Sequence, residues 1–405
     1  MDRRVVITGM GAVSPIGGNV KEIWQNCRAG FCGIAPFRNP ESDDIPVSLV
    51  GEVDNRILEE HLDKRDIRFA SRATSFARIA AKEALTDANL SEGTFDPERM
   101  GVMISSSIGG GEVLDKGISN NQIGPFFVPG SAVHSPSAMV AMDAGAHGIN
   151  LAPVSACAGG ANAIGEAYLR IRSGMEDVMI AGGADSALSR NVIKGFAAMR
   201  ALYTGDDVSR SSIPFDAERR GFVPGEGAAV LVLESLEHAL QRGAHIYAEI
   251  AGYGYSNDAN HQTAPREDGK YAAIAMKRAM QDAKISPDLI THINAHGTGT
   301  RLNDQAECLA IKEAFGEDYR KPYVTSVKSM TGHMLSASAA LEAVVSVKTL
   351  EEGFIPPTIH LNSQDEKCDV NLVKNEGIVV KTDYVMSNSF GFGGFNAVLI
   401  FAKNN

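Results

Sequence analysis

Short β-branched runs alternate along the whole chain with alanine-rich stretches whose apolar positions recur at helical spacing. Arg4 to Thr8, Met100 to Ser105, Asp177 to Ala181 and Ala228 to Leu233 read as strands, and the segments between them as amphipathic helices. That alternation predicts an α/β protein. The pattern also repeats. Lys82-Glu-Ala-Leu-Thr-Asp-Ala-Asn-Leu-Ser91 matches Lys277-Arg-Ala-Met-Gln-Asp-Ala-Lys-Ile-Ser286 at five of ten positions. In each half a strand-to-turn segment follows, Gly101 to Gly109 and then Ile290 to Gly297. Each half next carries a small-residue turn opening an alanine-rich helix, at Ser155-Ala-Cys-Ala-Gly-Gly160 and at Thr331-Gly-His-Met-Leu-Ser336. The expectation is two similar α/β halves, residues 1–245 and 246–405, joined between Arg242 and Ala248. If they pack face to face around a pseudo-twofold axis, turns from both halves meet in one site.

Composition narrows the function. The 405 residues are 44% hydrophobic and 21% charged, enough apolar material for a large core. The net charge of −11 argues against a nucleic-acid surface. No apolar run approaches a membrane span, and the first residues lead directly into a strand-like run, so a cytoplasmic location is expected. Five scattered cysteines without a CxxC pair indicate neither a disulfide framework nor a zinc site. Gly9-Met-Gly11 lacks the third glycine of a dinucleotide fingerprint, and GxxxxGK[ST], HExxH and GxSxG are absent. No cofactor or metal is expected.

One cysteine stands apart. Cys157 follows an apolar run and directly precedes the helical pattern Ala161 to Arg172. A thiol at a helix N-terminus meets unpaired N–H groups and the positive end of the macrodipole, which favour thiolate and make a nucleophile. A buried structural cysteine is the competing reading. His296 and His333 lie in small-residue turns of the second half, able to project imidazoles into a cavity. A cysteine with histidines serves acyl transfer, the imidazoles donating to an oxyanion or enolate. Lys328 and Glu342 flank His333 and could orient the histidines or form a solvated pair. Thr298 and Thr300 offer hydroxyls beside His296, either for a polar substrate arm or for the turn itself. In Asn388-Ser-Phe-Gly-Phe-Gly-Gly-Phe-Asn396 the rings of Phe390, Phe392 and Phe395 can wall off a ligand that the glycine backbone approaches.

Taken together, Ser155 to Gly160, Ala295-His-Gly-Thr-Gly-Thr300, Lys328-Ser-Met-Thr-Gly-His333 and Asn388 to Gly394 resemble, in this order and spacing, the beta-ketoacyl-[acyl-carrier-protein] synthases. These are condensing enzymes of the thiolase fold, and the likeness, running from Val5 to Phe401, is to the synthase II type. The resemblance implies a layered α-β-α-β-α architecture, a homodimer and an acyl carrier protein as partner. It implies a ping-pong decarboxylative Claisen condensation in fatty-acid elongation, in which Cys157 takes an acyl chain and malonyl-carrier protein loses CO₂ and attacks the thioester. By the same resemblance His296 and His333 serve decarboxylation and enolate stabilisation, supported by Lys328 and Glu342. The backbone N–H groups of Cys157 and Phe392 would form the oxyanion hole, with Phe392 also a gate. Thr263, Thr298 and Thr300 match pantetheine contacts, and Ile108 matches the acyl-pocket wall. Lys64, Arg65 and Arg68 lie in the docking region for an acidic carrier, clustered with Arg72.

Two departures stand out. Phe395 replaces the family's usual Thr or His, and Ser336-Ala-Ser-Ala-Ala340 replaces a common Gly-Ala-Ala-Gly. A ketosynthase of polyketide metabolism is the nearest alternative. A non-catalytic chain-length partner would lack the nucleophile, which Cys157 argues against.

Overall fold

In the computed structural model, which describes residues 3–38, 44–91, 93–119 and 123–404, the β-branched runs form a mixed sheet flanked by helices. The first half contributes β1 (Val5–Val13), β2 (Met100–Ser105), β3 (Asn150–Leu151), β4 (Val178–Ser186) and β5 (Glu226–Ser235). The second contributes β6 (Ala248–Asn257), β7 (His292–Asn294), β8 (Tyr323–Thr325), β9 (Tyr384–Gly391) and β10 (Phe395–Ala402). The spatial order is β8-β7-β9-β10-β6-β1-β5-β4-β2-β3.

Read outward from the middle, each half places its strands first, fifth, fourth, second, third. The first two pairings are antiparallel and the next two parallel in both halves. Only Val6–Glu249 and Ile7–Ala248 pair across the join between β1 and β6. The repeat seen in sequence is thus a repeat of topology. β2 occupies the expected Met100–Ser105, while β1, β4 and β5 run longer than their apolar runs because antiparallel partners extend the ladder.

Helices complete five layers. α1 (Arg72–Asp87) and α2 (Ser135–Ala144) cover the outer face of the first half, sharing a core with Val102, Ile180 and Val230. α4 (Lys270–Ala283) and α5 (Arg301–Phe315) cover the second, around Ile293, Val398 and Ile400. α3 (Gly159–Arg172) and α6 (Ser336–Glu352) lie between the two halves of the sheet, in a core that takes Leu231 from one half and Leu399 from the other. This is the α-β-α-β-α layering implied by the resemblance.

The central pair explains the small residues around it. α6 is buried on nearly every side from Ser336 to Leu350. A Cβ at Gly160 would sit 2.3 Å from the Ser336 carbonyl oxygen, so glycine is what lets α3 and α6 touch. Both helices are entered through a left-handed non-glycine residue, Ala156 (φ 48°) before α3 and Leu335 (φ 52°) before α6. Such positions cost about 1–3 kcal/mol and persist where the surroundings over-determine them. Among the described residues no helix is long and apolar enough to cross a membrane.

Candidate active site

The strained turn at Ala156 leads into a single tight helical turn, Ala156–Ala158, with Cys157 at its centre. The end of β9 presses on it. A Cβ on Gly391 would come within 2.7 Å of the Ser155 carbonyl oxygen, so glycine allows the next residue, Phe392, to reach the sulfur. The backbone N–H groups of Cys157 and Phe392 both face Sγ and pull its pKa down. Lys328 acts in the same sense and Asp185 against it, but burial is the largest influence and pushes the thiol up to about 12. Burial of Cys157, 8% exposed, thus works against the helix end and is the larger of the two influences on the thiol.

The second half supplies the histidines. His296 follows β7, its ring 5.4 Å from that of His333 and nearly perpendicular to it. His333 is fixed by its own N–H to the Val223 carbonyl (2.7 Å) and by Gly225 N–H to its carbonyl (2.9 Å), and its ring meets the edge of Phe222. Burial holds both imidazoles well below their usual pKa, and the Lys328 charge lowers them further. They are therefore neutral at physiological pH, each with one N–H to donate.

Lys328 is fully buried, donating to the His296 carbonyl at 2.6 Å and paired with Glu342. Burial raises the Glu342 carboxyl to about 7 against the pull of that ammonium. Of the two readings left open by the sequence, the buried pair is the one observed.

Cys157, His296, His333, Phe390 and Phe392 line one cleft of about 470 Å³, with Thr263, Thr298 and Thr300 on its outer wall. The Thr298 and Thr300 hydroxyls lie 2.9 Å apart, and Thr300 also caps α5 by accepting from Asn303 N–H. Ile108 is not on this lining. It packs with Val192 and Phe196 against the apolar cluster of Cys157, Ala187 and Leu335. Phe395 is likewise off the lining, half-buried against the central core with its ring over Gly393. Lys64, Arg65 and Arg68 are exposed on the short helix Lys64–Phe69, but Arg72 is spent in a part-buried ion pair with Glu226 (Nε to Oε2, 2.8 Å). Ser336, at the family's glycine position, donates its hydroxyl to the Asp185 carboxylate (2.5 Å), with the Ser105 carbonyl 3.1 Å away, and so ties α6 to β4.

Sequence reasoning missed Glu307. Its carboxylate accepts from His296 N–H (2.9 Å), Gly297 N–H (2.8 Å) and the Asn388 side-chain amide (3.1 Å), joining the histidine turn to the aromatic turn. Burial raises it to about 7. The available signal was two carboxylates, Asp304 and Glu307, one turn apart on the buried face of α5.

Beside it, Asn294 Oδ1, Glu342 Oε2, Ser387 Oγ and Asn388 Oδ1 are buried oxygens without hydrogen-bond partners. Asn294 and Ser387 are paired in register, and the Asn294 amide donates to the Glu342 carbonyl at 3.1 Å. Among the described residues there is no cluster of three His, Cys, Asp or Glu suited to a metal.

A cysteine under two N–H donors, faced by two neutral imidazoles in a largely apolar cleft, can accept an acyl group and stabilise an enolate beside it. Comparison with known proteins shows the family. The chain matches the family models "Beta-ketoacyl synthase, N-terminal domain" over residues 2–239 and "Beta-ketoacyl synthase, C-terminal domain" over 247–362. It is 45% identical over 410 aligned positions, 99% of both chains, to 3-oxoacyl-[acyl-carrier-protein] synthase 2 of Staphylococcus aureus. Among solved structures it is similar to a type II polyketide ketosynthase in complex with its acyl-carrier protein and bound to the hexaketide, with 34% identity, TM-score 0.92 and full coverage of both chains. A beta-ketoacyl synthase from Burkholderia phymatum STM815 is 33% identical with TM-score 0.91, again over both full chains.

Proposed function

The chain belongs to the beta-ketoacyl synthase family, and from that premise we propose how its residues carry out the decarboxylative condensation of malonyl-carrier protein with an acyl chain. The observation that carries the reading is the convergence of Cys157, His296 and His333 in one cleft, with two backbone N–H groups on the sulfur.

In the first half-reaction Cys157 Sγ attacks the thioester carbonyl of an acyl group on carrier-protein pantetheine. The Cys157 and Phe392 N–H groups face the position where the oxyanion develops. Collapse expels the pantetheine thiolate, which takes up the Cys157 proton, so one thiol replaces another and no net proton is lost.

In the second half-reaction the C–C bond to the malonyl carboxylate breaks and CO₂ leaves. Its electron pair forms a thioester enolate whose oxygen receives the His296 and His333 N–H groups. The enolate carbon attacks the acyl carbonyl, and Cys157 leaves as thiolate, which takes up one proton from solvent to return to the thiol. Imidazoles that stay neutral can donate to the enolate without first being protonated. Lys328 and Glu342 hold the His296 carbonyl from below, and Phe392 closes the cleft over the sulfur.

The fatty-acid pathway is favoured over polyketide synthesis by 45% identity to the synthase 2 relative against 34% to the polyketide ketosynthase. Lys64, Arg65 and Arg68 receive the acidic carrier; Thr263, Thr298 and Thr300 take its pantetheine arm; Ile108 bounds the acyl chain. Phe390 walls the cleft, and Phe395 shapes it indirectly by packing under the glycine turn. A homodimer, formed along the exposed edge of β3, belongs to the same reading. So do a cytoplasmic location and the division into halves at residue 245. The test is to supply acyl- and malonyl-carrier proteins and look for the 3-oxoacyl product two carbons longer. Absence of product with every chain length would overturn the reading.

A further inference from the structure

Most guanidinium groups of this chain are spoken for. Arg72, Arg78, Arg99, Arg172, Arg210 and Arg219 all sit in ion pairs. Three arginines lining the cleft do not. Arg200, Arg220 and Arg301 are exposed, and their side chains make no ion pair or hydrogen bond among the described residues.

They come from segments stitched together by backbone. Gly221 N–H donates to the Gly299 carbonyl (3.1 Å), and Phe222 N–H to the Ala201 carbonyl (3.0 Å), so the residues just before Gly221, just before Ala201 and just after Thr300 emerge side by side. Neighbouring Arg219 does the opposite of Arg220. It is fully buried, paired with Asp365 (2.7 Å), and donates to the carbonyls of Thr300 (3.2 Å) and Arg301 (3.3 Å). This holds the start of α5 in place and leaves the Arg301 side chain at the opening. Arg200 occupies a left-handed position (φ 55°) after the helix Arg190–Ala198, where glycine would cost least.

The charge balance at the opening is thus the reverse of that of the molecule. Against three arginines the cleft lining has one carboxylate, Asp258, whose oxygens are already taken by Arg266 N–H (3.0 Å) and the Asn396 amide (2.8 Å). The wall below grades from buried His296 through Thr298 and half-buried Thr300 to exposed Arg301, every step on one segment. A ligand following that wall would put its thioester at the floor, its amides at the threonines and its far end among the guanidinium groups.

We propose that Arg220 and Arg301, with Arg200, form an anion site at the opening of the cleft for the phosphodiester that joins the pantetheine arm to its carrier protein. The inference rests on the condensing-enzyme reading above and adds to it the group that anchors the far end of the arm. Planar guanidinium forks suit a phosphate, and their long-range field draws an acidic carrier toward a chain whose net charge would repel it.

The test compares two small acyl donors to Cys157, an acyl-phosphopantetheine and the same acyl-pantetheine without phosphate, by initial rate of adduct formation on the intact protein. In the wild type the phosphorylated donor should have the lower KM, by about tenfold, with an advantage that shrinks as salt is added. In R220Q/R301Q the two KM values should converge to within about twofold, and R220K/R301K should keep part of the advantage. Each variant is its own control, because both donors load the same cysteine. If turnover is lost altogether, protection of Cys157 from iodoacetamide by phosphopantetheine relative to pantetheine gives the same comparison without catalysis. An advantage retained in R220Q/R301Q, or absent from the wild type, overturns the proposal. Failure of the wild type to load either donor or carrier would instead overturn the condensing-enzyme reading.

Discussion

Removing Glu307 should separate the two half-reactions. Its carboxylate holds three donors, the N–H groups of His296 and Gly297 and the Asn388 amide, and none of them belongs to the Cys157 turn. Glu307→Ala leaves all three buried and unpaired. At about 1–3 kcal/mol for each orphaned group, partly offset by relaxation, the fold should lose about 3–5 kcal/mol. Glu307→Gln keeps one oxygen and turns an NH₂ toward the remaining donor, so it should lose about 1–3 kcal/mol. The kinetic effect follows from position. A histidine turn displaced by about 1 Å costs on the order of a hundredfold in a reaction that depends on alignment. Malonyl-dependent elongation should therefore fall by about that factor in Glu307→Ala, with acylation of Cys157 reduced far less and Glu307→Gln intermediate. Urea unfolding gives the stability, and intact mass with and without malonyl-carrier protein gives the two rates. A Glu307→Ala protein that elongates like the wild type, or loses acylation and elongation in equal measure, would refute the positioning argument.

Three further outcomes follow from the same structure. Because burial pushes the Cys157 thiol up to about 12, its alkylation by iodoacetamide should rise about tenfold per pH unit between about pH 7 and 9; a plateau near pH 8 would contradict a resting thiol. Lys328→Met strands Glu342 inside the protein and should cost about 3–5 kcal/mol in urea unfolding at alkaline pH, where Glu342 is ionised, and less at neutral and lower pH, where losing the ammonium leaves it protonated. Lys328→Met combined with Glu342→Leu should recover most of that loss, and a double variant no more stable than the single would show that the stranded charge is not the cause. Glu83, buried while accepting from Ala12 and Val20 N–H, titrates at about 7 instead of 4.5. A carboxyl whose folded pKa is raised stabilises below the unfolded value and loses that contribution as pH rises through about 4.5 to 7, so Glu83→Gln should gain on the wild type, by up to about 3 kcal/mol, between about pH 5 and pH 8. A pH-independent difference between the two would contradict this.

The parts legible in the sequence were those governed by local pattern. The run Met100 to Ser105 is a strand as read, and the two small-residue turns do open the two central helices. Cys157, His296 and His333 could be singled out because each lies at a junction of elements, where backbone direction aims a side chain into a cleft. What escaped depended on distant partners. Glu307 looks like one more helical carboxylate until the N–H groups of residues 296 and 297 are seen to point at it. Arg72 sits in a basic cluster along the chain, yet Glu226, 154 residues away, takes it out of solution. The Cys157 thiolate argument weighed the helix end, which is local, and could not weigh desolvation, which depends on the whole fold. Phe395 belongs to the aromatic turn by sequence, but strand alternation sends its ring to the central core.

The most direct test of the account is the mass of the protein itself, followed through both half-reactions in wild type, Cys157→Ala and His333→Ala. Incubation with an acyl-carrier protein should add one acyl group to the wild type and to His333→Ala, and none to Cys157→Ala. Malonyl-carrier protein should then remove the adduct from the wild type, releasing a 3-oxoacyl product, and leave it in place on His333→Ala. Elongation by Cys157→Ala, or an adduct that maps to another residue, would contradict the assignment of Cys157 as the nucleophile.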